Sequence, residues 1–273
     1  MKASPSTEKL LEALVESLQP LGKLIVAFSG GVDSSVVVAA AVRALGQENV
    51  LAVTAKSETL PDRELEEAVA LSQFLGVPHA VIETRELDSE NFCANAFDRC
   101  YHCKTELWQK IGALAEKNGI GNMADGVNAE DGRDVRPGIK ASDEAMVLHP
   151  LSSIGADKNA VRDLAEELGL PNWDKPAQAC LSSRFPYGKR ITVEGLGRVE
   201  KAEELLRDLG VNELRVRDHG DIARIEIPVA EIENILNEDV RSKLVFGLKK
   251  LGFIYVTLDL EGFRSGSMNE ILR

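Results

Sequence analysis

Seven consecutive residues, Ser29-Gly30-Gly31-Val32-Asp33-Ser34-Ser35, carry the groups that bind a polyphosphate. Two glycines let the backbone turn tightly and approach an anion with no Cβ in the way, and the N–H groups of a helix starting just after them point at it. Ser29, Ser34 and Ser35 add hydroxyl donors, while Asp33 is placed to hold Mg²⁺ rather than the phosphate itself. An ordinary capped turn is the plain alternative. The apolar strand before the string, Leu24 to Phe28, and the apolar helix after it, Val36 to Leu45, favour a nucleotide cradle.

Thiols form a second reactive group. Cys100-Tyr101-His102-Cys103 opens a helical stretch, Lys104 to Lys117, and Cys180 lies in a long loop. A C-x-x-C at a helix N-terminus lowers thiol pKa and suits metal binding or redox work equally. Three thiols choose weakly among metals. Zinc would want a fourth ligand, from Cys93 or His102, whereas a 4Fe-4S cluster held by three cysteines keeps one iron open; unliganded, partly buried thiols are the bland alternative. Cys93 has no partner at motif spacing, and His79, His149 and His219 form no spaced pair and read as structural. Arginines form the third group. Arg215 and Arg217 alternate on one strand and share a face, a paired fork for phosphate or carboxylate. Arg184 in the cysteine loop and Arg264 in a Gly-Phe-Arg-Ser-Gly turn join them, with Ser183 and Ser265 as hydroxyl donors; surface salt bridging is the common alternative.

These groups need a scaffold. Apolar runs at Leu24 to Phe28, Val50 to Thr54, His79 to Ile82, Asn122 to Val127 and Met146 to Leu148 alternate with helical patterns, which predicts an α/β fold with a parallel, Rossmann-like sheet. The helices are read at Val36 to Leu45, Asp62 to Leu75, Lys104 to Lys117 and Lys158 to Leu168. Ligands bind outside the carboxyl ends of such strands, so the glycine loop, Ser57 and Asp125-Gly126 are expected around one ATP crevice. The Arg133 to Lys140 stretch, including Arg136, is expected to close over the phosphates. A loop from Pro171 to Gly188 leads into an α-β-β-α-β string with an antiparallel hairpin and a helix break near Asn237. The partition is residues 1–188 for the nucleotide domain and 189–273 for a smaller α+β domain that binds substrate or other subunits.

Composition narrows the function classes. With 44 acidic against 32 basic residues and a formal net charge of −12, the surface as a whole repels nucleic acid. No window reaches the roughly 18 apolar residues of a membrane span, and the first residues show no apolar core of secretory length. Four cysteines in such a chain fit a reducing cytoplasm. No G-x-x-x-x-G-K-[ST] is present, and Gly195-Leu196-Gly197 lacks the third glycine and the strand of a dinucleotide fingerprint.

What remains resembles the PP-loop of the ATP pyrophosphatase superfamily, whose S-G-G-x-D-S signature is matched in full. More specifically, the chain resembles the LarE family, the sulfur transferases that mature the nickel-pincer nucleotide of lactate racemase. The likeness rests on the Ser29 loop, Asp134-Val135-Arg136-Pro137-Gly138, Ser182-Ser183-Arg184-Phe185-Pro186-Tyr187-Gly188, Arg215-Val216-Arg217, Ile222-Ala223-Arg224-Ile225-Glu226, Tyr255-Val256-Thr257-Leu258-Asp259 and Gly262-Phe263-Arg264-Ser265-Gly266. The resemblance implies an enzyme that adenylates the carboxylates of pyridinium-3,5-biscarboxylic acid mononucleotide, releases pyrophosphate and installs sulfur. Its phosphate-bearing substrate would meet Ser183, Arg184, Arg215, Arg217 and Arg264, and the Cys180 loop would reach the activated carbon. Some members sacrifice the sulfur of one cysteine, ending as dehydroalanine; others carry three. Cys100, Cys103 and Cys180 align this chain with the second kind, which implies a 4Fe-4S cluster carrying the sulfide. The expected partners are a small-molecule nucleotide and copies of the same chain, with room for a sulfur donor protein, and neither nucleic acid nor membrane. An iron-sulfur tRNA thiolase, an amide-forming synthetase and a non-catalytic nucleotide-binding zinc protein are the rival readings.

Overall fold

The computed structural model describes residues 5–131, 137–264, 267 and 270. In chain order the elements are α1 (Pro5–Leu18), β1 (Leu24–Ala27), α2 (Val32–Leu45), β2 (Val50–Lys56), α3 (Asp62–Phe74), β3 (His79–Glu83), α4 (Glu90–Cys93), α5 (Arg99–Asn118), β4 (Met123–Ala124), α6 (Pro137–Glu144), α7 (Pro150–Ser153) and α8 (Lys158–Glu167). There follow α9 (Val193–Asp208), β5 (Arg215–Asp218), β6 (Ile222–Glu226), α10 (Ile232–Leu236), α11 (Glu238–Lys250) and β7 (Tyr255–Leu258). Two compact units result: Met1–Ser89 with Phe97–Gln178, and Glu90–Ala96 with Ala179–Arg273. Cys180, which the sequence-based partition placed ahead of its break at 188, lies in the second unit. No helix among the described residues is long and apolar enough to cross a membrane.

The first unit is an α/β fold around a parallel four-stranded sheet in the order β3-β2-β1-β4. Side chains of β1 alternate between two cores, as the two-residue strand period demands. Leu24 and Val26 pack with α1, α2 and α8 through Leu14, Val36 and Leu164, whereas Ile25 packs with Trp108 and Ile111 of α5. Both faces are therefore covered, which is why these strands read as continuous apolar runs. Two expectations shorten. The run Asn122 to Val127 is a strand only at Met123–Ala124, because the Asp125 carboxylate accepts the Val127 N–H at 3.0 Å and turns the chain out of the ladder. Met146 to Leu148 contributes a single parallel bridge, Ala124 to Leu148, since Met146 takes φ 55°, a conformation no strand accommodates.

The second unit is smaller and of α+β type. β5 pairs antiparallel with β6, and β6 parallel with β7, over a core that includes Leu206, Val216, Ile225, Leu244 and Phe253. Asn237 breaks the last helical stretch: its side chain accepts the Asp239 N–H at 3.1 Å and caps α11. The segment 90–96 joins this unit through Asn95, a fully buried residue whose amide donates to the carbonyls of Pro186 (2.8 Å) and Lys189 (3.0 Å). No sequence pattern marks that excursion.

Candidate active site

In the first unit the carboxyl ends of β1, β2 and β4 open into a crevice of about 290 Å³, close to the smallest volumes that hold a small ligand. Ser29, Gly31, Asp33 and Ser34 form one wall, and Asp125 and Gly126 another. Gly30 has φ 71° and lies against the backbone of Ala68 on α3, where a Cβ would meet atoms at 3.1 Å. Gly31 then caps α2 without a side-chain cap, so the N–H groups of the helix's first turn remain available to an anion. The hydroxyls of Ser34 and Ser35 donate to the Gly31 carbonyl at 3.1 and 2.7 Å. Gly126 matters for a different reason: a Cβ there would stand 2.7 Å from the Ser34 nitrogen and 3.0 Å from the Asp33 carbonyl carbon. Gly126→Ala is expected to displace the loop at a cost of about 1–3 kcal/mol and weaken ATP binding about tenfold or more, as read by calorimetry on the folded variant.

The crevice is acidic. Asp33, Asp125 and Asp131 line it, and among the described residues Lys104 is the one cation that does. A polyphosphate would be repelled by those carboxylates unless a divalent cation came with it. Asp33 fits that role: Oδ1 accepts the Asn128 amide at 3.0 Å, and Asn128, itself buried, is fixed by the N–H groups of Glu130 and Asp131. Lys104 lies 5.7 Å from the Trp108 ring centroid.

His149 bridges two carboxylates, with Nδ1 2.7 Å from Asp125 and Nε2 3.1 Å from Asp143. The hydrogen bond to Asp125 raises its pKa above the ordinary 6.5, against the opposing effect of burial. A raised folded-state pKa means stabilisation that is complete below the ordinary value and lost as pH climbs through the raised one. The melting temperature of His149→Gln should therefore fall furthest below wild type under mildly acidic conditions, the gap closing as the solution is made alkaline. His79, by contrast, is structural: its Nε2 lies 2.8 Å from the Thr54 hydroxyl, which donates to the Phe28 carbonyl.

Of the thiols, Cys100 and Cys103 sit in the first turns of α5, exposed and half-buried respectively, and Cys103 Sγ lies 3.8 Å from the buried Glu86 carboxylate. Cys180 is exposed in the second unit, immediately ahead of a 3₁₀ turn at Leu181–Arg184. Among the described residues no group of three His, Cys, Asp or Glu side chains is gathered to hold a metal ion.

The four arginines expected to form one anion platform have divided roles. Arg184, 2% exposed, is committed internally: Nε and Nη2 clasp both oxygens of Glu203 at 2.7 and 3.0 Å, and Nη1 donates to the Ala179 and Cys180 carbonyls and to the Ser183 hydroxyl. It shapes the Cys180 loop instead of meeting a ligand. Arg217 is also buried, paired with Glu226 at 2.8 Å and donating to the Ser183 carbonyl at 2.6 Å. Arg264 pairs with Glu261 and Glu270. Arg215 differs. It is 8% exposed, stacks on Phe263 with 4.6 Å to the ring centroid, and has no ion-pair partner among the described residues. Burial, together with the positive charges of Arg217 and Arg184, pushes its pKa down to about 10. A bound anion would relieve that strain.

Ser57 bonds Thr59 at 2.9 Å and is not part of the crevice wall, while Arg136, with the rest of 132–136, and Ser265 lie outside the described residues. Sequence reasoning missed Lys104, Asn128 and Asp131. Helical phase places Lys104 one turn after Cys100, and the Asn128 to Asp131 turn follows directly on the fourth strand, so both signals were present.

Comparison with known proteins extends the picture. The NAD synthase family model matches residues 5–104, which include the glycine loop. Pyridinium-3,5-bisthiocarboxylic acid mononucleotide synthase of Lactiplantibacillus plantarum is 42% identical over 261 residues, 95% of this chain and 93% of that protein. The chain belongs to the LarE family. An uncharacterized protein of Synechocystis sp. is 46% identical over 97% of this chain and 98% of its own length. The glutamine-dependent NAD(+) synthetase of the same organism shares 44% identity over 77 residues, only 26% of this chain. Kinship with NAD synthetases is therefore local, whereas LarE-family likeness runs through both units.

Proposed function

We propose that this chain adenylates the carboxylates of pyridinium-3,5-biscarboxylic acid mononucleotide and converts them to thiocarboxylates for the nickel-pincer nucleotide. The observation that carries the reading is the full-length likeness to the L. plantarum synthase, reaching past the nucleotide unit into the one that holds Cys180 and Arg215. ATP would lie in the crevice with its phosphates on the N–H groups after Gly31. Mg²⁺ would be held by Asp33, and Lys104 would add positive charge to the crevice lining. A substrate carboxylate oxygen attacks the α-phosphorus, the bridging bond to the β-phosphate breaks, and pyrophosphate departs with the electron pair. A sulfide then adds to the acyl carbon, and AMP leaves with the activated oxygen.

In the second unit, Arg215, buried and without an ion-pair partner among the described residues, suits the substrate phosphate, flanked by Arg217 and Ser183. Cys100, Cys103 and Cys180 are soft thiol donors, the donor chemistry of a 4Fe-4S cluster, and with the family likeness behind the reading they would be its ligands. Such a cluster supplies, when bound, a sulfide that is not part of its core. A cytoplasmic homo-oligomer reloaded by a sulfur donor protein completes the proposal. The test is to follow pyrophosphate release and the mass of the product with ATP and the dicarboxylate nucleotide. Wild type should give both signals, and Cys180→Ala should keep pyrophosphate release within about threefold and form no thiocarboxylate. Absence of substrate-dependent pyrophosphate in wild type would refute the reading.

A further inference from the structure

Backbone carbonyls are the hazard of a phosphate-binding loop, because each one that turns toward the ligand repels it. Gly30 and Gly31 present two of them. The Gly31 carbonyl is held by the Ser34 and Ser35 hydroxyls at 3.1 and 2.7 Å. The Gly30 carbonyl is held by a residue far away in sequence: Asn172 Nδ2 donates to it at 3.1 Å and to the Ser35 hydroxyl at 3.1 Å. The Gly31 carbonyl also accepts the Ser35 N–H of the helix at 3.1 Å, so it is the Gly30 carbonyl whose direction depends on the Asn172 amide. Its Oδ1 is buried with no hydrogen-bond partner among the described residues, and the opposite flip would set that oxygen against the Gly30 carbonyl. Gly30, Ser35 and Asn172 are not among the residues lining the crevice, so the amide reaches the loop from behind.

The segment bearing Asn172 is itself fastened. Lys175 lies 2.7 Å from Glu64 and 2.7 Å from Glu67 on α3, the helix whose Ala68 backs Gly30. Glu64, Glu67 and Ala68 share one face of that helix.

We propose that Asn172 is a positioning residue of the nucleotide site, which keeps the Gly30 carbonyl turned back so that the loop offers N–H groups to the phosphates, and that Lys175 anchors it. The proposal rests on the reading of the loop as an ATP cradle, and the probes separate the two. Calorimetry with ATP, inorganic pyrophosphate and adenosine is run on wild type, Asn172→Ala and Asn172→Asp. The alanine variant should lose about tenfold in affinity for ATP and pyrophosphate, the aspartate variant more, and neither should change for adenosine. If wild type binds neither ATP nor pyrophosphate, the cradle reading falls and takes this proposal with it. Wild-type binding with pyrophosphate affinities within twofold in both variants overturns the positioning role alone, as does a parallel loss of adenosine binding, which would mark a merely structural residue. Should both variants fail to fold, Lys175→Gln decides: a loss of about threefold for pyrophosphate supports the anchor, and an unchanged affinity overturns it.

Discussion

Replacing Asp33 by alanine is expected to lower pyrophosphate release about 10²–10³-fold while the melting temperature moves little. Asp33 stands in the first turn of α2, where it lines the crevice together with Asp125 and Asp131. On the proposed reading ATP would bring a divalent cation into this acidic crevice, and a carboxylate with a spare oxygen would fix that cation beside the departing pyrophosphate. The Asn128 amide occupies Oδ1 and sets the orientation. Asp33→Asn separates charge from hydrogen bonding, since it keeps an oxygen for Asn128 and loses the anion. Its rate should fall nearly as far as that of the alanine variant, and removal of magnesium from wild type by a chelator should mimic both. A pyrophosphate assay in which Asp33→Ala stays within tenfold of wild type would show that the cation is bound elsewhere.

The second large effect concerns stability. Glu203→Ala should destabilise the second unit by about 3–5 kcal/mol, because it strands a buried guanidinium. Glu203 is 1% exposed and accepts from Arg184 Nε and Nη2, from the Val216 N–H at 3.1 Å and from Arg207 at 3.2 Å. Removing both partners at once, in Arg184→Met with Glu203→Leu, should cost less than Glu203→Ala, since an apolar pair needs no charge compensation. Urea unfolding of the full chain followed by circular dichroism would show the order. Hydrogen exchange should rise around residues 179–184 in Glu203→Ala. Equal losses in the single and double variants would mean that packing, not the stranded charge, dominates.

Legibility differed by kind of feature. The apolar runs at Leu24, Val50 and His79 predicted the sheet because a parallel strand buried on both faces cannot hide its composition, and the break at Asn237 was readable because a capping residue acts locally. The glycine loop was visible for the same reason: its conformation is dictated by the residues within it. What escaped was set by tertiary partners. Nothing near Met146 announces φ 55°, and nothing near Asn95 announces that its amide will bind a segment beyond residue 184. The arginines show the limit most plainly, because a strand pattern puts Arg215 and Arg217 on one face but does not say that Glu226 claims Arg217, while Arg215 has no ion-pair partner among the described residues. Lys104 lies on a helix whose packing, not its local pattern, carries it to the crevice lining.

Arg184 grips the loop around Cys180 by its carbonyl oxygens at residues 179 and 180, and no hydrogen bond from the thiol takes part in that grip. Architecture and reactivity are thereby uncoupled at this position. Replacing or modifying the thiol therefore removes no hydrogen bond that Arg184 makes to the loop.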